Sequence, residues 1–130
     1  MGANVDVIQR VFAAFARRDF ALLAELTDPD LEFYAATGRE VGHDGAYRGR
    51  DGLREYLTDV ARVWEELRPE PREFRERGDV VVVTGRVYAW GPGRVVDTPA
   101  GWLWRLRDGR VLEGRVFDNE QDALAAGGLD

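Results

Sequence analysis

The N-terminal segment carries apolar residues at helical spacing. Between residues 4 and 17 these residues recur at intervals of three and four: Val7, Ile8, Val11, Phe12 and Phe15. Such spacing gathers side chains on one face of a helix. Asp19 can cap a second short helix, which the sequence Asp28-Pro29-Asp30 stops. The pattern therefore predicts a helical hairpin over residues 1–27.

A short strand and a long loop are predicted next, over residues 31–49. The strand covers residues 31–35, and the glycine-rich loop that follows contains His43 and Asp44. A third helix is predicted over residues 50–68, before Pro69. It carries apolar residues at three-four spacing: Leu53, Tyr56, Leu57, Val60, Trp64 and Leu67.

The C-terminal half is typical of antiparallel sheet. Strands are predicted within residues 71–118, and Asp108-Gly109 between two arginines is a strong two-residue hairpin signal. Residues 119–130 are predicted to form a tail with a short helix near residues 122–125. Helices followed by strands, without repeated parallel crossovers, indicate an α+β fold. At 130 residues the chain has the length of a single domain, 1–130.

The composition narrows the chemistry. The net charge of −6 disfavours a nucleic-acid partner, and no apolar run is long enough to span a membrane. The chain has no Cys, Lys or Ser and a single histidine, His43. We therefore expect no cofactor, no metal site, no thiolate or serine nucleophile and no Schiff base. No signal peptide is recognisable, so the expected compartment is the cytoplasm.

Several strings, in this order, resemble the nuclear-transport-factor-2-like superfamily and its SnoaL-like branch. They are Phe12-Ala13-Ala14-Phe15, Arg18-Asp19-Phe20, Tyr47-Arg48-Gly49-Arg50-Asp51-Gly52-Leu53, Trp104-Arg105-Leu106-Arg107-Asp108-Gly109-Arg110-Val111, Arg115-Val116-Phe117 and Ala123-Leu124-Ala125-Ala126-Gly127. The resemblance implies a cone-shaped, strongly curved and mostly antiparallel sheet wrapped around about three N-terminal helices. It also implies an apolar cavity and a homodimer.

The resemblance is less specific for activity, because this superfamily includes isomerases, epoxide hydrolases, polyketide cyclases and noncatalytic members. Where ketosteroid-isomerase-like members carry their Tyr and two acids, this chain has Val11, Tyr34 and Trp102. Where limonene-epoxide-hydrolase-like members carry an Arg between two Asp residues, it has Arg86 with Tyr88 and Val116. Neither catalytic set is complete, which disfavours both mechanisms.

The resemblance and strand alternation together predict which side chains point inward. On the long strand, Arg86, Tyr88 and Trp90 are expected to face the cavity, with Val87 and Ala89 on the other side. The same register turns Asp118 inward on the last strand, and Tyr34 of the first strand is also expected to face the cavity. The predicted substrate-binding wall consists of Phe15, Tyr56, Val60, Trp64, Trp90, Trp102, Trp104 and Val116. The alternative is that these side chains simply fill the core.

The candidate catalytic residues are Asp118, Tyr34, Arg86, Tyr88 and His43. A carboxylate buried among aromatic rings would have a raised pKa, so Asp118 could transfer a proton. Alternatively, it is a solvent-exposed carboxylate at the end of the strand that caps the following turn. Arg86 could orient an oxyanion or form an ion pair with Asp118. Tyr34 and Tyr88 could instead be core residues whose hydroxyl groups are hydrogen-bonded. His43 could be an exposed loop residue without a catalytic role.

Three functions fit these observations. The first is a cofactor-free isomerase, cyclase or lyase that acts on an apolar, polyketide- or terpenoid-like molecule by proton transfer. The second is a noncatalytic protein that binds a hydrophobic ligand. The third is a dimerisation module with a filled core.

Overall fold

A computed structural model describes residues 2–35 and 45–129 of the chain. In these ranges it contains four helices and six strands. In chain order they are α1 (Ala3–Ala16), α2 (Phe20–Leu26), β1 (Thr27–Tyr34), β2 (Tyr47–Arg48), α3 (Gly49–Val63), β3 (Glu66–Arg77), β4 (Val80–Gly91), β5 (Arg94–Arg107), β6 (Arg110–Phe117) and α4 (Glu120–Ala126). The predicted α+β class is confirmed.

The strands form one curved, open sheet in the order β2-β1-β6-β5-β4-β3. The pairing of β1 with β6 is parallel, and the other four pairings are antiparallel. Asp108 and Gly109 join β5 to β6 with φ angles of 53° and 77°. Two positive φ angles fit a type I′ turn, whose twist matches the flanking strands, and the predicted hairpin is confirmed.

The two faces of the sheet are covered by different helices. On β5, Trp102 contacts Phe12 of α1, with ring centroids 5.2 Å apart. The preceding Gly101 faces α4, because a Cβ built there would lie 2.5 Å from the Cβ of Ala123. Helices α1 to α3 thus cover the inner face, which holds most of the core, and α4 covers part of the outer face.

The third helix is shorter than predicted. It ends at Val63, and the next residues pair with the sheet, since the Glu65 N–H donates to the Trp90 carbonyl at 2.8 Å. Pro69 therefore lies in β3 and not just after a helix. A proline is tolerated there because β3 is an edge strand that pairs only with β4.

The first strand starts earlier than predicted. It begins at Thr27, directly after α2, and includes the residues that were expected only to stop the helix. The Asp28 side chain accepts a hydrogen bond from the Asp30 N–H at 2.8 Å, which holds an irregularity in the pairing with β6. Arg107 donates to Asp28 at 2.8 Å and to Asp30 at 3.0 Å. This cluster fastens the end of β5 to the start of β1.

No helix among the described residues is long and apolar enough to cross a membrane.

Candidate functional site

An apolar cavity lies between the inner face of the sheet and helices α1 to α3. Its volume is about 90 Å³, which is room for several waters or a small organic group. The wall consists of Val11, Phe12, Phe15, Leu23, Thr27, Leu31, Phe33, Leu53, Tyr56, Leu67, Pro69, Val87, Trp102, Trp104, Val111 and Val116.

Aromatic rings dominate the wall and hold one another in place. Phe33 stacks on Trp104 with centroids 6.0 Å apart and an angle of 8° between the planes. The Phe33 ring also meets Tyr56 edge-on at 4.9 Å, and Tyr56 lies 6.1 Å from Phe15. Offset-stacked and edge-to-face contacts are the favourable geometries for such rings. The wall is therefore a rigid set of planes suited to a flat ligand.

A glycine makes the packing of Trp104 and Phe33 possible. Gly114 is the direct partner of Trp104 on the neighbouring strand. A Cβ at this position would lie 2.6 Å from Cζ3 of Trp104 and 2.8 Å from Cδ1 of Phe33. Both distances are shorter than a carbon–carbon contact allows, so any larger residue would push a ring toward the cavity.

Polar groups are few in this wall. Among the described residues that line it, none is charged, and the hydroxyl groups belong to Thr27 and Tyr56. The Thr27 hydroxyl donates to the Ala24 carbonyl at 3.3 Å, which ties it to the end of α2. Tyr56 contributes the phenol group of the wall, and the residue is 8% exposed.

The predicted orientation of β4 is wrong. Val87 lines the cavity, whereas Arg86, Tyr88 and Trp90 lie on the outer face. Arg86 pairs there with Asp97 at 3.1 Å, and the guanidinium of Arg68 lies 4.9 Å from the Tyr88 ring. Trp90 is 42% exposed. The reason is that α4 buries residues such as Val82 on the outer face. Apolar residues therefore occur on both faces of β4, and their alternation does not show which face is the inner one.

Two further catalytic candidates also lie outside the cavity. Asp118 follows the end of β6, is exposed, and accepts a hydrogen bond from Asn119 at 3.3 Å. Tyr34 lies on the outer face, where its hydroxyl donates to Glu32 at 2.9 Å. This hydrogen bond raises the pKa of Tyr34, and the Arg115 guanidinium covers the ring at 4.0 Å. The expected inward position of both residues is wrong.

The remaining predicted residues divide into three groups. Phe15, Tyr56, Trp102, Trp104 and Val116 line the cavity, and their binding of a substrate stays a prediction. Val60 and Trp64 are buried but line a separate groove at the C-terminal end of α3. His43 lies outside the described residues.

Sequence reasoning missed several wall residues. Phe12 belongs to the apolar stripe of α1, and that stripe by itself predicts helix packing without indicating a cavity. Leu67 was assigned to α3 and Val87 to the outer face, and both line the wall because their strands present alternate residues inward. Among the described residues, no cluster of three or more His, Cys, Asp and Glu side chains could hold a metal ion.

Comparisons with known proteins give a consistent picture. The family model for the SnoaL-like domain matches residues 8–114. An uncharacterized protein of Mycobacterium tuberculosis strain H37Rv is 29% identical over 117 residues, which cover 88% of each chain. The structure of TerC, co-crystallized with polyporic acid, matches with a TM-score of 0.81 and 28% identity over 98% of each chain. A protein of unknown function from Burkholderia pseudomallei matches with a TM-score of 0.82 and 24% identity, covering 96% of this chain and 97% of that one.

Proposed function

This chain belongs to the SnoaL-like domain family, and we propose that it binds a small, planar, largely apolar molecule in the inner cavity. The observation that carries the proposal is the wall itself, in which six aromatic residues surround a space larger than several waters. They are Phe12, Phe15, Phe33, Tyr56, Trp102 and Trp104. Burying the faces of a flat ligand against such rings is favourable, and the few polar groups of the wall favour an apolar body.

The relative TerC supports a ligand of this kind, since it was co-crystallized with polyporic acid. Polyporic acid is therefore the first probe, and 2-naphthol is a smaller planar probe. Titration calorimetry should show saturable binding of at least one of the two. If neither binds at millimolar concentration, the proposal fails.

A matched pair of variants locates the binding. Val87→Trp places an indole in the cavity, whereas Tyr88→Trp adds the same ring on the outer face one residue later. We expect the first variant to weaken binding at least tenfold and the second to change it less than twofold. Equal affinities in the two variants would contradict binding in the cavity.

We propose catalysis as a second function, because the buried Tyr56 hydroxyl belongs to a wall that is otherwise almost entirely apolar. A phenol in such a site can donate a hydrogen bond to the oxygen of an enolate that forms on the ligand. The reaction would be proton transfer at a carbon beside a carbonyl group, as in a cofactor-free isomerase or cyclase. His43 is the proposed base, since its ordinary pKa lies near neutrality.

Proton transfer can be measured without knowing the natural substrate. In D₂O, the protein should accelerate the exchange of hydrogen for deuterium at the carbon beside the carbonyl of 2-tetralone, followed by proton NMR. Tyr56→Phe and His43→Gln should lower the rate, and Tyr34→Phe, on the outer face, should not. If 2-tetralone binds but does not exchange faster than in buffer, the protein is a noncatalytic binder.

We also propose a homodimer formed through the outer face of the sheet. Trp90 and Val95 are direct partners on β4 and β5, and they are 42% and 70% exposed. Paired exposed apolar side chains favour association. Light scattering after gel filtration should show a dimer that Trp90→Gln shifts toward monomer and that Arg50→Gln, on α3, leaves intact. A monomeric wild type would refute this proposal.

A further inference from the structure

A second groove lies outside the cavity, between the end of α1, the end of α3 and the turn that joins β4 to β5. Its volume is about 290 Å³. It is lined by Arg18, Val60, Ala61, Arg62, Val63, Trp64, Glu65, Leu67 and Pro92. Most of these side chains are apolar, so the position of the charged groups decides what the groove can bind.

Arg18 is held in place by an unusual end of α1. The Arg18 N–H donates to Phe15 at 3.0 Å, and the next N–H, of Asp19, donates to Ala14 at 2.9 Å. This pair of hydrogen bonds is a Schellman motif, with Arg18 at the position that usually holds glycine. Its φ is 54°, in the left-handed region. The guanidinium is therefore carried by a fixed, sharply turned backbone.

The guanidinium itself is also fixed. It donates to the Phe15 carbonyl and, at 2.8 Å, to the Leu67 carbonyl, and it lies 4.0 Å from the centre of the Phe15 ring. Two of its five N–H groups serve these carbonyls, which leaves donors for a further acceptor. Partial burial lowers the pKa of Arg18. A preorganised guanidinium loses little freedom when it binds an anion.

Within residues 2–35 and 45–129, no carboxylate lies at ion-pair distance from Arg18, although the nearby charge of Glu66 acts to raise its pKa. By contrast, Arg62 pairs with Asp59 at 3.4 Å and Glu66 pairs with Arg68 at 3.0 Å. Glu65 is the acidic side chain of the lining.

Trp64 adds an independent observation. Its side chain is 4% exposed, and within residues 2–35 and 45–129 its Nε1–H has no hydrogen-bond acceptor. A buried donor without an acceptor is uncommon in folded proteins. The lining of the groove thus combines a fixed cation with the apolar ring of Trp64, whose unpaired N–H is buried.

We propose that this groove binds a small organic carboxylate, with the carboxylate on Arg18 and the apolar body against Trp64. The lining offers polar and apolar surface in similar amounts, which suits a carboxylate that carries a ring or short chain better than inorganic phosphate. This site is separate from the cavity, although Leu67 contributes to the walls of both.

Benzoate and benzyl alcohol provide a matched pair of probes that differ mainly in charge. Each is titrated into the ¹⁵N-labelled protein, and the four indole N–H signals are followed after assignment with Trp→Phe variants. We expect benzoate to shift the Trp64 signal saturably and benzyl alcohol to leave it nearly unchanged. Because both probes are used on the wild type, the comparison does not depend on the folding of a variant.

A variant then tests the cation. Arg18→Gln should weaken benzoate binding about tenfold or more, the loss expected for a charge-assisted hydrogen bond. Arg72→Gln removes the same charge from an exposed position on β3 and should have no effect. Equal shifts with both probes, unchanged affinity in Arg18→Gln, or movement of the Trp104 signal in place of Trp64 would each overturn the proposal.

Discussion

Gly114→Ala tests the packing of the cavity wall with the smallest possible change. The added methyl group would start 2.6 Å from Cζ3 of Trp104 and 2.8 Å from Cδ1 of Phe33. Neither ring can retreat easily, because they stack on each other and Phe12 packs edge-on against Trp104 at 5.8 Å. Overpacking of this kind costs about 1–3 kcal/mol. For a chain of this length, that corresponds to a Tm lower by roughly 3–12 °C.

Gly93→Ala is the control, since it adds the same methyl group where no atom lies within 4 Å. Its φ of 78° makes alanine unfavourable there by about 1 kcal/mol through the backbone alone. Urea denaturation gives the free energy of unfolding of both variants, and calorimetry gives their affinity for the planar probes. Both variants should lose stability, but only Gly114→Ala should also lose affinity.

A second substitution separates steric overlap from other causes. Trp104→Phe removes the six-membered part of the indole that the new methyl group meets. The double variant Gly114→Ala/Trp104→Phe should therefore be more stable than the sum of the single effects predicts, by at least about 0.5 kcal/mol. Additive effects, or a Gly114→Ala variant as stable as the wild type, would refute the described packing.

The remaining predictions concern charge, orientation and capping. The Asp30 N–H, and then Arg107, hold the pKa of Asp28 below its ordinary value, so its carboxylate stabilises the fold above about pH 4 and less as the pH falls through the lowered pKa. Urea denaturation should show that Asp28→Asn has a smaller free energy of unfolding than the wild type at pH 7. This difference should become smaller below about pH 4, and a difference independent of pH would contradict the lowered pKa of Asp28. Val87→Asp, on the cavity wall, should cost about 3 kcal/mol or more and Tyr88→Asp about 1 kcal/mol or less, and the reverse order would restore the orientation predicted from the sequence. Asp118→Asn, at an exposed site, should change stability by less than about 0.5 kcal/mol and leave deuterium exchange into 2-tetralone unchanged; slower exchange would return Asp118 to the catalytic candidates. Asp19→Ala removes the side-chain acceptor of the Leu22 N–H at the start of α2 and should cost about 1 kcal/mol in thermal denaturation, and an unchanged Tm would show that this cap contributes nothing.

Local sequence signals determined most of the secondary structure. The apolar stripe of α1, the Asp19 cap and the Asp108-Gly109 turn act through neighbouring residues, so each could be recognised without the fold. The end of α3 at Val63 and the start of β3 at Glu66 could not be recognised from the local sequence. Pro69 is read as a helix stop, but its place in β3 depends on that strand being at the sheet edge, which is a property of the whole sheet.

The candidate site was predicted in part. Phe15 and Tyr56 lie on helical stripes, and Trp102 and Trp104 alternate on a strand with outward neighbours, so their inward direction follows from periodicity once one face is known. The inward position of Arg86 comes from resemblance, which does not fix a register to one residue. Because successive strand residues point to opposite faces, an error of one residue reverses every assignment. Asp118 is a different case: Val116 faces the cavity as expected, but β6 ends at Phe117, so the alternation does not extend to Asp118.

The sequence by itself determined that the chain has helices followed by a sheet, many aromatic residues and few groups capable of covalent chemistry. Only the tertiary structure decided which of those groups share the cavity. The physical reason is that α4 packs on the outer face of β4 and β5 and buries residues such as Val82 there. The apolar pattern of these strands is therefore two-sided, and the inner face is defined by contact with α1 to α3.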